Sequence, residues 1–220
     1  MSPKTPDFER YMLIGLGSRR DGKHLEASNE FWNALSIAQT DEQRSIASQA
    51  QGIDLRLAGW LNEAEEAFEM AMTFNQDNPQ HLGTILRDYA MVKIDQGKFS
   101  EAREMLRQAI LELPWADDPL EFAVTMGFLA RSYWLDGQRE DALAYYASAY
   151  QDIRGKNDIY EVNFLIWWMK ALGPFGRFRR SLRAIRLAHK TGHNERMVEA
   201  VLITLAGPRM TEKVKRLKQR

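Results

Sequence analysis

The chain has 220 residues, 45% of them apolar, which is enough to bury a substantial core. It has no cysteine, which excludes disulfides and thiolate chemistry and accords with a reducing, cytoplasmic location. The formal net charge is zero, but residues 1–150 hold 14 Lys and Arg against 24 Asp and Glu, and residues 151–220 hold 16 against 6.

The opening segment, Met1 to Asp7, is polar and lacks the apolar core of a signal peptide. The longest apolar runs, such as Phe164 to Met169, are far too short to span a bilayer. From Asp7 onward the chain is organised by a ladder of glycines, Gly22, Gly59, Gly97, Gly137 and Gly176, spaced by 37, 38, 40 and 39 residues. Seven residues before each stand Gly15, Gly52, Ala90, Ala130 and Met169. Five after come Ala27, Ala64, Ala102, Ala142 and Ser181; nine after, Phe31, Phe68, Leu106, Tyr146 and Ile185; twelve after, Ala34, Ala71, Ala109, Ala149 and Ala188. A period of this size marks a solenoid of stacked supersecondary units.

Helical periodicity flanks each glycine, which predicts a tight helix-to-helix turn with φ > 0. The small residue at minus seven is expected to face the alanine at plus five where the two helices cross. The large residue at plus nine is expected to pack on the next unit. Capping signals set the boundaries: Thr40 with Gln43, Asn78 before Pro79, Asp118 before Pro119 with Glu121, and Asp158 with Glu161. The predicted hairpins are 7–38, 41–75, 79–112, 118–153 and 158–191. A partial unit at 194–206 follows, with Ala200 seven residues before Gly207, and then a basic tail or helix at 207–220. Residues 1–206 are read as one repeat domain. No run of strict alternation suggests a strand.

These offsets resemble the tetratricopeptide repeat, most closely in the third unit: Ala90, Gly97, Phe99, Ala102, Leu106, Ala109, Pro114. The resemblance covers residues 7–191 and departs in period, since the family repeats at about 34 residues. It implies an all-α, right-handed α-solenoid with a C-terminal capping helix, acting as a non-enzymatic protein–protein interaction scaffold. It also implies that first helices line a concave groove through positions three, six and ten before each glycine. Those include Arg19, Gln49, Ile53, Arg56, Arg87, Met91, Ile94, Arg131, Trp134, Ile166 and Lys170. Arg19, Arg56, Arg87, Arg131, Trp134 and Lys170 are the expected partner-binding residues, suited to an acidic peptide or helix. The opposing reading is that long arginine stems cover apolar surface between repeats. The family's clamp for chaperone carboxylates needs asparagines that are absent, as Ile53 and Asp88 illustrate.

Between Val162 and Asn194 there is no acidic residue, while Lys170, Arg177, Arg179, Arg180, Arg183, Arg186 and Lys190 fall there. The last six of these form a basic patch that suits a nucleic acid or another polyanion, the alternative function. Equally, they could be the solvated face of a helix whose buried stripe is Phe178, Leu182 and Ile185. Opposite charge at the two ends also allows head-to-tail self-association.

Enzymatic and cofactor motifs are weak. Gly17 to Lys23 follows the phosphate-loop spacing, but His24 replaces the hydroxyl and a helix rather than a strand precedes it. His189 and His193 have metal-ligand spacing without further ligands. Asp117–Asp118 and Glu65–Glu66 read as cap and surface residues. The six tryptophans read mostly as packing. No metal or cofactor is expected.

Overall fold

The computed structural model describes residues 7–75, 78–113 and 118–190, together with 201 and 204. The described residues form helices and no strand: α1 (Phe8–Arg20), α2 (His24–Ile37), α3 (Asp41–Ala58), α4 (Leu61–Phe74), α5 (Pro79–Asp95), α6 (Phe99–Glu112), α7 (Pro119–Leu135), α8 (Arg139–Ile153), α9 (Asp158–Ala171) and α10 (Pro174–Lys190). They pair as the five hairpins that the glycine ladder predicts. Residues 191–200, and with them the start of the 194–206 unit, lie outside the described residues, as do the 207–220 tail, Pro114 and Trp115.

The contacts divide the chain into two compact units, 1–113 and 114–220. In the first, α2 packs on α3, α4 on α5, and α3 on α5; in the second, α8 packs on α9, α7 on α9, and α9 on α10.

Four ladder glycines make the predicted turn. Gly22, Gly59, Gly97 and Gly137 have φ of 76°, 87°, 76° and 81°. At each, two successive amides reach back to carbonyls of the closing helix, as Gly59 N does to Arg56 O at 3.0 Å and Trp60 N to Leu55 O at 2.9 Å. This paired pattern satisfies carbonyls that the helix end leaves open. Gly176 departs from expectation: it lies in the first turn of α10, and the chain reverses at Leu172–Gly173. Proline at the head of α10 is the cause, since Pro suits a first helical position and starts this helix one turn earlier than its counterparts.

Caps form at Thr40, Asn78 and Asp118, whose side chains accept from the amides of Gln43, His81 and Leu120 with Glu121. The pair Asp158–Glu161 does not cap α9. That helix begins at Asp158 itself, and Glu161 turns inward.

The packing rule inside each hairpin also needs correction. A Cβ on Gly15 would lie 2.7 Å from the Phe31 ring, and one on Gly52 would lie 2.9 Å from the Phe68 ring. In the first two hairpins the minus-seven residue is therefore a glycine because the plus-nine aromatic of the same hairpin lies against it. That ring then continues into the next repeat. Phe68 stacks on Tyr89 at 5.6 Å, and Tyr146 meets Phe164 edge-on at 5.4 Å. The alanines at plus five, and Ala34, Ala71, Ala109 and Ala149 at plus twelve, are buried as expected. The tryptophans are mixed: Trp168 is buried, whereas Trp32 and Trp60 are about half exposed.

A polar node ties α4 to α5. Glu65 accepts from Lys93 Nζ, from Tyr89 Oη at 2.9 Å and from Gln96 Nε2 at 2.9 Å. The Lys93 hydrogen bond, helped by Gln96 and Tyr89, outweighs burial and holds the Glu65 carboxyl down at about 2. Because the folded pKa is depressed, this stabilisation is complete above the unfolded value of 4.5 and is lost as pH falls from there toward 2. With 23% of the side chain exposed, the node is worth at most about 3 kcal/mol. Urea denaturation of wild type and Glu65→Gln should show a gap at pH 7 that shrinks by more than half at pH 3. A gap independent of pH would contradict the assignment.

Candidate functional site

In the 1–113 unit, each arginine at an expected groove position meets a carboxylate. Arg19 bonds Asp54 at 2.7 Å and the Ala50 carbonyl at 2.8 Å, and its guanidinium lies 4.9 Å from the Phe31 ring centre. Asp54 is fully buried and also bonds His24 Nδ1 at 2.8 Å. The residue that breaks the phosphate-loop pattern is thus a link from α2 to α3. Arg56 pairs with Asp95 at 2.8 Å, and Arg87 with Asp88 at 3.1 Å. Gln49 bridges onward to Asp88 and His81. In this unit the cations are offset locally, and Arg19 and Arg56 fasten one repeat to the next.

The 114–220 unit is built differently. On α7, Phe128 and Arg131 stand nine and six residues before Gly137. On α9, Trp167 and Lys170 stand at the same offsets before Gly176. Residues three apart share a helix face, so each helix presents an aromatic beside a cation. The two helices pack together. Phe128 and Trp167 have centroids 5.3 Å apart, and the Arg131 guanidinium lies 5.6 Å from the Trp167 ring centre. Lys170 is exposed at its edge. Partial desolvation and then the Arg131 charge push its ammonium below the usual lysine range. Trp134 is half-buried one turn beyond Arg131, against the core of the unit. The result is a two-helix wall that presents two aromatics, each beside a cation.

The basic stretch of α10 is mostly engaged. Arg177 donates to the Met169 carbonyl at 3.1 Å, and Arg180 lies 3.5 Å over the Trp168 ring. Arg183 makes a two-pronged bond to Glu161, and Lys190 pairs with Asp158 at 2.8 Å. Arg179 and Arg186 are exposed. The expected buried stripe is only partly realised: Ile185 packs against the core of the unit, but Phe178 and Leu182 are 56% and 55% exposed, while Ser181 and Ala184 face inward between the engaged arginines. His193 lies outside the described residues. Among the described ones, no group of three or more His, Asp or Glu could hold a metal.

Comparison with solved structures agrees on the backbone. BtubC (BKLC) from P. vanneervenii superposes with a TM-score of 0.65 at 17% identity, over 85% of this chain and 82% of that one. A Podosopora anserina protein described as a kinesin light chain with nearly identical TPR-like repeats gives 0.58 at 14% identity, over 90% and 94%. The fold is a tetratricopeptide-like repeat array. Cut9–Hcn1, an APC/C hetero-tetramer, also gives 0.58 at 14% identity, over 89% of this chain and 35% of that one. No family model and no curated protein matches the sequence.

The sequence singles out Arg131, Trp134 and Lys170, and the structure brings Arg131 together with Lys170. Phe128, and Trp167 as a stacking partner rather than core, were not recognised. The signal was present as aromatic–x–x–cation at matched offsets in two successive units. Among the described residues, no helix is long and apolar enough to cross a membrane.

Proposed function

We propose that this chain is a non-enzymatic, cytoplasmic interaction scaffold. In this reading it binds an acidic peptide or helix on the first-helix wall formed by α7 and α9. The supporting observation is the matched pair Phe128–Arg131 and Trp167–Lys170, in which the Phe128 ring and the Arg131 guanidinium both lie against Trp167. Arg131 offers a planar fork to a carboxylate and Lys170 a mobile point charge. The Trp167 face takes an apolar or aromatic side chain next to it. The similar Cut9–Hcn1 structure is a multi-protein assembly, which accords with a scaffold role.

Fluorescence anisotropy with labelled peptides of about 12 residues tests this, one rich in Glu around a central Phe and one with Lys in place of Glu. The acidic peptide should bind and the basic one should not. Arg131→Glu with Lys170→Glu should weaken binding at least about ten-fold, given roughly 1.5–3 kcal/mol per charge-assisted hydrogen bond. Lys170→Glu alone should weaken it with the melting temperature unchanged. Equal binding of both peptides, or no effect of Lys170→Glu, would remove the assignment.

A further inference from the structure

In three of the hairpins, a residue two or six after the ladder glycine contacts the first helix of the following repeat. In the first hairpin, His24 at plus two bonds Asp54 on α3. In the second, Leu61 at plus two packs with α5 residues, and Glu65 at plus six holds Tyr89 and Lys93 of α5. In the fourth, Arg139 at plus two donates to the Ala171 carbonyl of α9. The plus-two and plus-six face of a second helix thus receives the first helix of the following repeat.

On α10 these two positions are Phe178 and Leu182, and they are 56% and 55% exposed. Register is maintained here, because Ser181 at plus five is buried like its alanine counterparts. The early start of α10 adds Phe175, 83% exposed, to the same stripe at i, i+3 and i+7. Val201 packs into the core cluster that includes Ala184, and no described residue covers the stripe. Exposed Arg179 and Arg186 run along one edge of it, and the sequence from Val162 to Asn194 has no acidic residue.

We propose that this face of α10 is a second docking surface, which receives an amphipathic α-helix of another protein with a carboxylate-rich flank. Repeat equivalence makes the occupant a helix. The phenylalanines and leucine set its apolar stripe, and the two arginines set the sign of its flank. From Phe175 to Arg186 the surface spans about 17 Å, so about three turns of the partner would cover it. It is separate from the α7–α9 wall and shares no residue with it.

The probe is a labelled, end-capped helical peptide of about five turns with a leucine stripe flanked by glutamates, and a control with lysines in the flanks. Anisotropy with the full chain should show binding of the acidic peptide alone. Phe178→Asp with Leu182→Asp should reduce its affinity at least about ten-fold without lowering the melting temperature, since both side chains are exposed. The same loss should appear when the substitutions are made in an Arg131→Glu, Lys170→Glu background, which separates this surface from the α7–α9 wall. Failure of the acidic peptide to bind, equal binding of the control, or a melting temperature lowered by the substitutions would overturn the proposal; the last would mean that the chain covers the stripe itself. Two further results would also overturn it by assigning the stripe elsewhere. One is flotation with anionic phospholipid vesicles that the substitutions abolish while peptide binding persists. The other is concentration-dependent sedimentation that they abolish, which would make the occupant a second copy.

Discussion

Phe68→Ala is expected to destabilise the 1–113 unit by about 3–5 kcal/mol, the range for deleting a buried aromatic side chain. Phe68 has no exposed surface, its ring fits against Gly52, and it stacks on Tyr89 in the next hairpin. The loss therefore opens a void between α3 and α4 and also removes an aromatic pair, worth about 0.5–1.5 kcal/mol beyond its area. Neighbouring backbone cannot collapse into the space without dragging Gly52 and Tyr89 in opposite directions. Against a total stability of about 5–15 kcal/mol for a domain, this is a large fraction. Urea denaturation gives the magnitude, and hydrogen exchange of amides in α4 and α5 locates it. Phe68→Leu should cost clearly less, because Leu still spans part of the gap. A Phe68→Ala variant that loses less than about 1 kcal/mol would show that the ring does not join the hairpins.

The same residue explains what was legible in the sequence. Helix pairing was readable because Gly22, Gly59, Gly97 and Gly137 report a backbone requirement, φ > 0, that few other residue types meet. The caps at Thr40, Asn78 and Asp118 were readable because they satisfy local donors. Contacts between side chains on different helices were not. Periodicity places Gly52 and Ala64 on facing stripes, but only the packed ring shows that Gly52 is small on account of Phe68. Gly176 misled for a related reason: the ladder position persists, while the proline at 174 moves the helix start ahead of it. At the candidate site, Arg131 and Lys170 were singled out by offset. Their aromatic companions were hidden because an aromatic at helical spacing reads as core. On α10 the error was larger. Phe178 and Leu182 were assigned inward by that rule, yet Glu161 and Trp168 draw Arg183 and Arg180 to the inner side. A carboxylate on the neighbouring helix can decide which face of an amphipathic helix is buried, and it leaves no mark on that helix's own pattern.

Glu161 accordingly yields the other large expected effect. It is fully buried, and its oxygens accept from Nε and Nη2 of Arg183, from Tyr150 Oη at 2.7 Å and from the Gly155 amide at 2.8 Å. Burial alone would raise its carboxyl, but these donors, Arg183 foremost, bring it below the usual carboxylate range. One side chain therefore joins α8, the turn at Gly155 with φ of 76°, α9 and α10. Glu161→Ala should cost about 3–5 kcal/mol, as for other buried pairs broken from one side. The lower half of that range is the better expectation, because Arg183 is 38% exposed and can regain water. Glu161→Gln keeps the shape but not the charge, and should fall between wild type and Ala. The double variant Glu161→Leu with Arg183→Leu separates the pair's charge from its packing. If desolvation nearly cancels attraction, the double variant should be more stable than Glu161→Ala alone, since no buried charge is left unanswered. Equilibrium unfolding of wild type, Glu161→Leu, Arg183→Leu and the double variant at pH 7 closes this cycle. Additive losses would show that Glu161 and Arg183 act independently, and the inward turn of Arg183 would then need another cause.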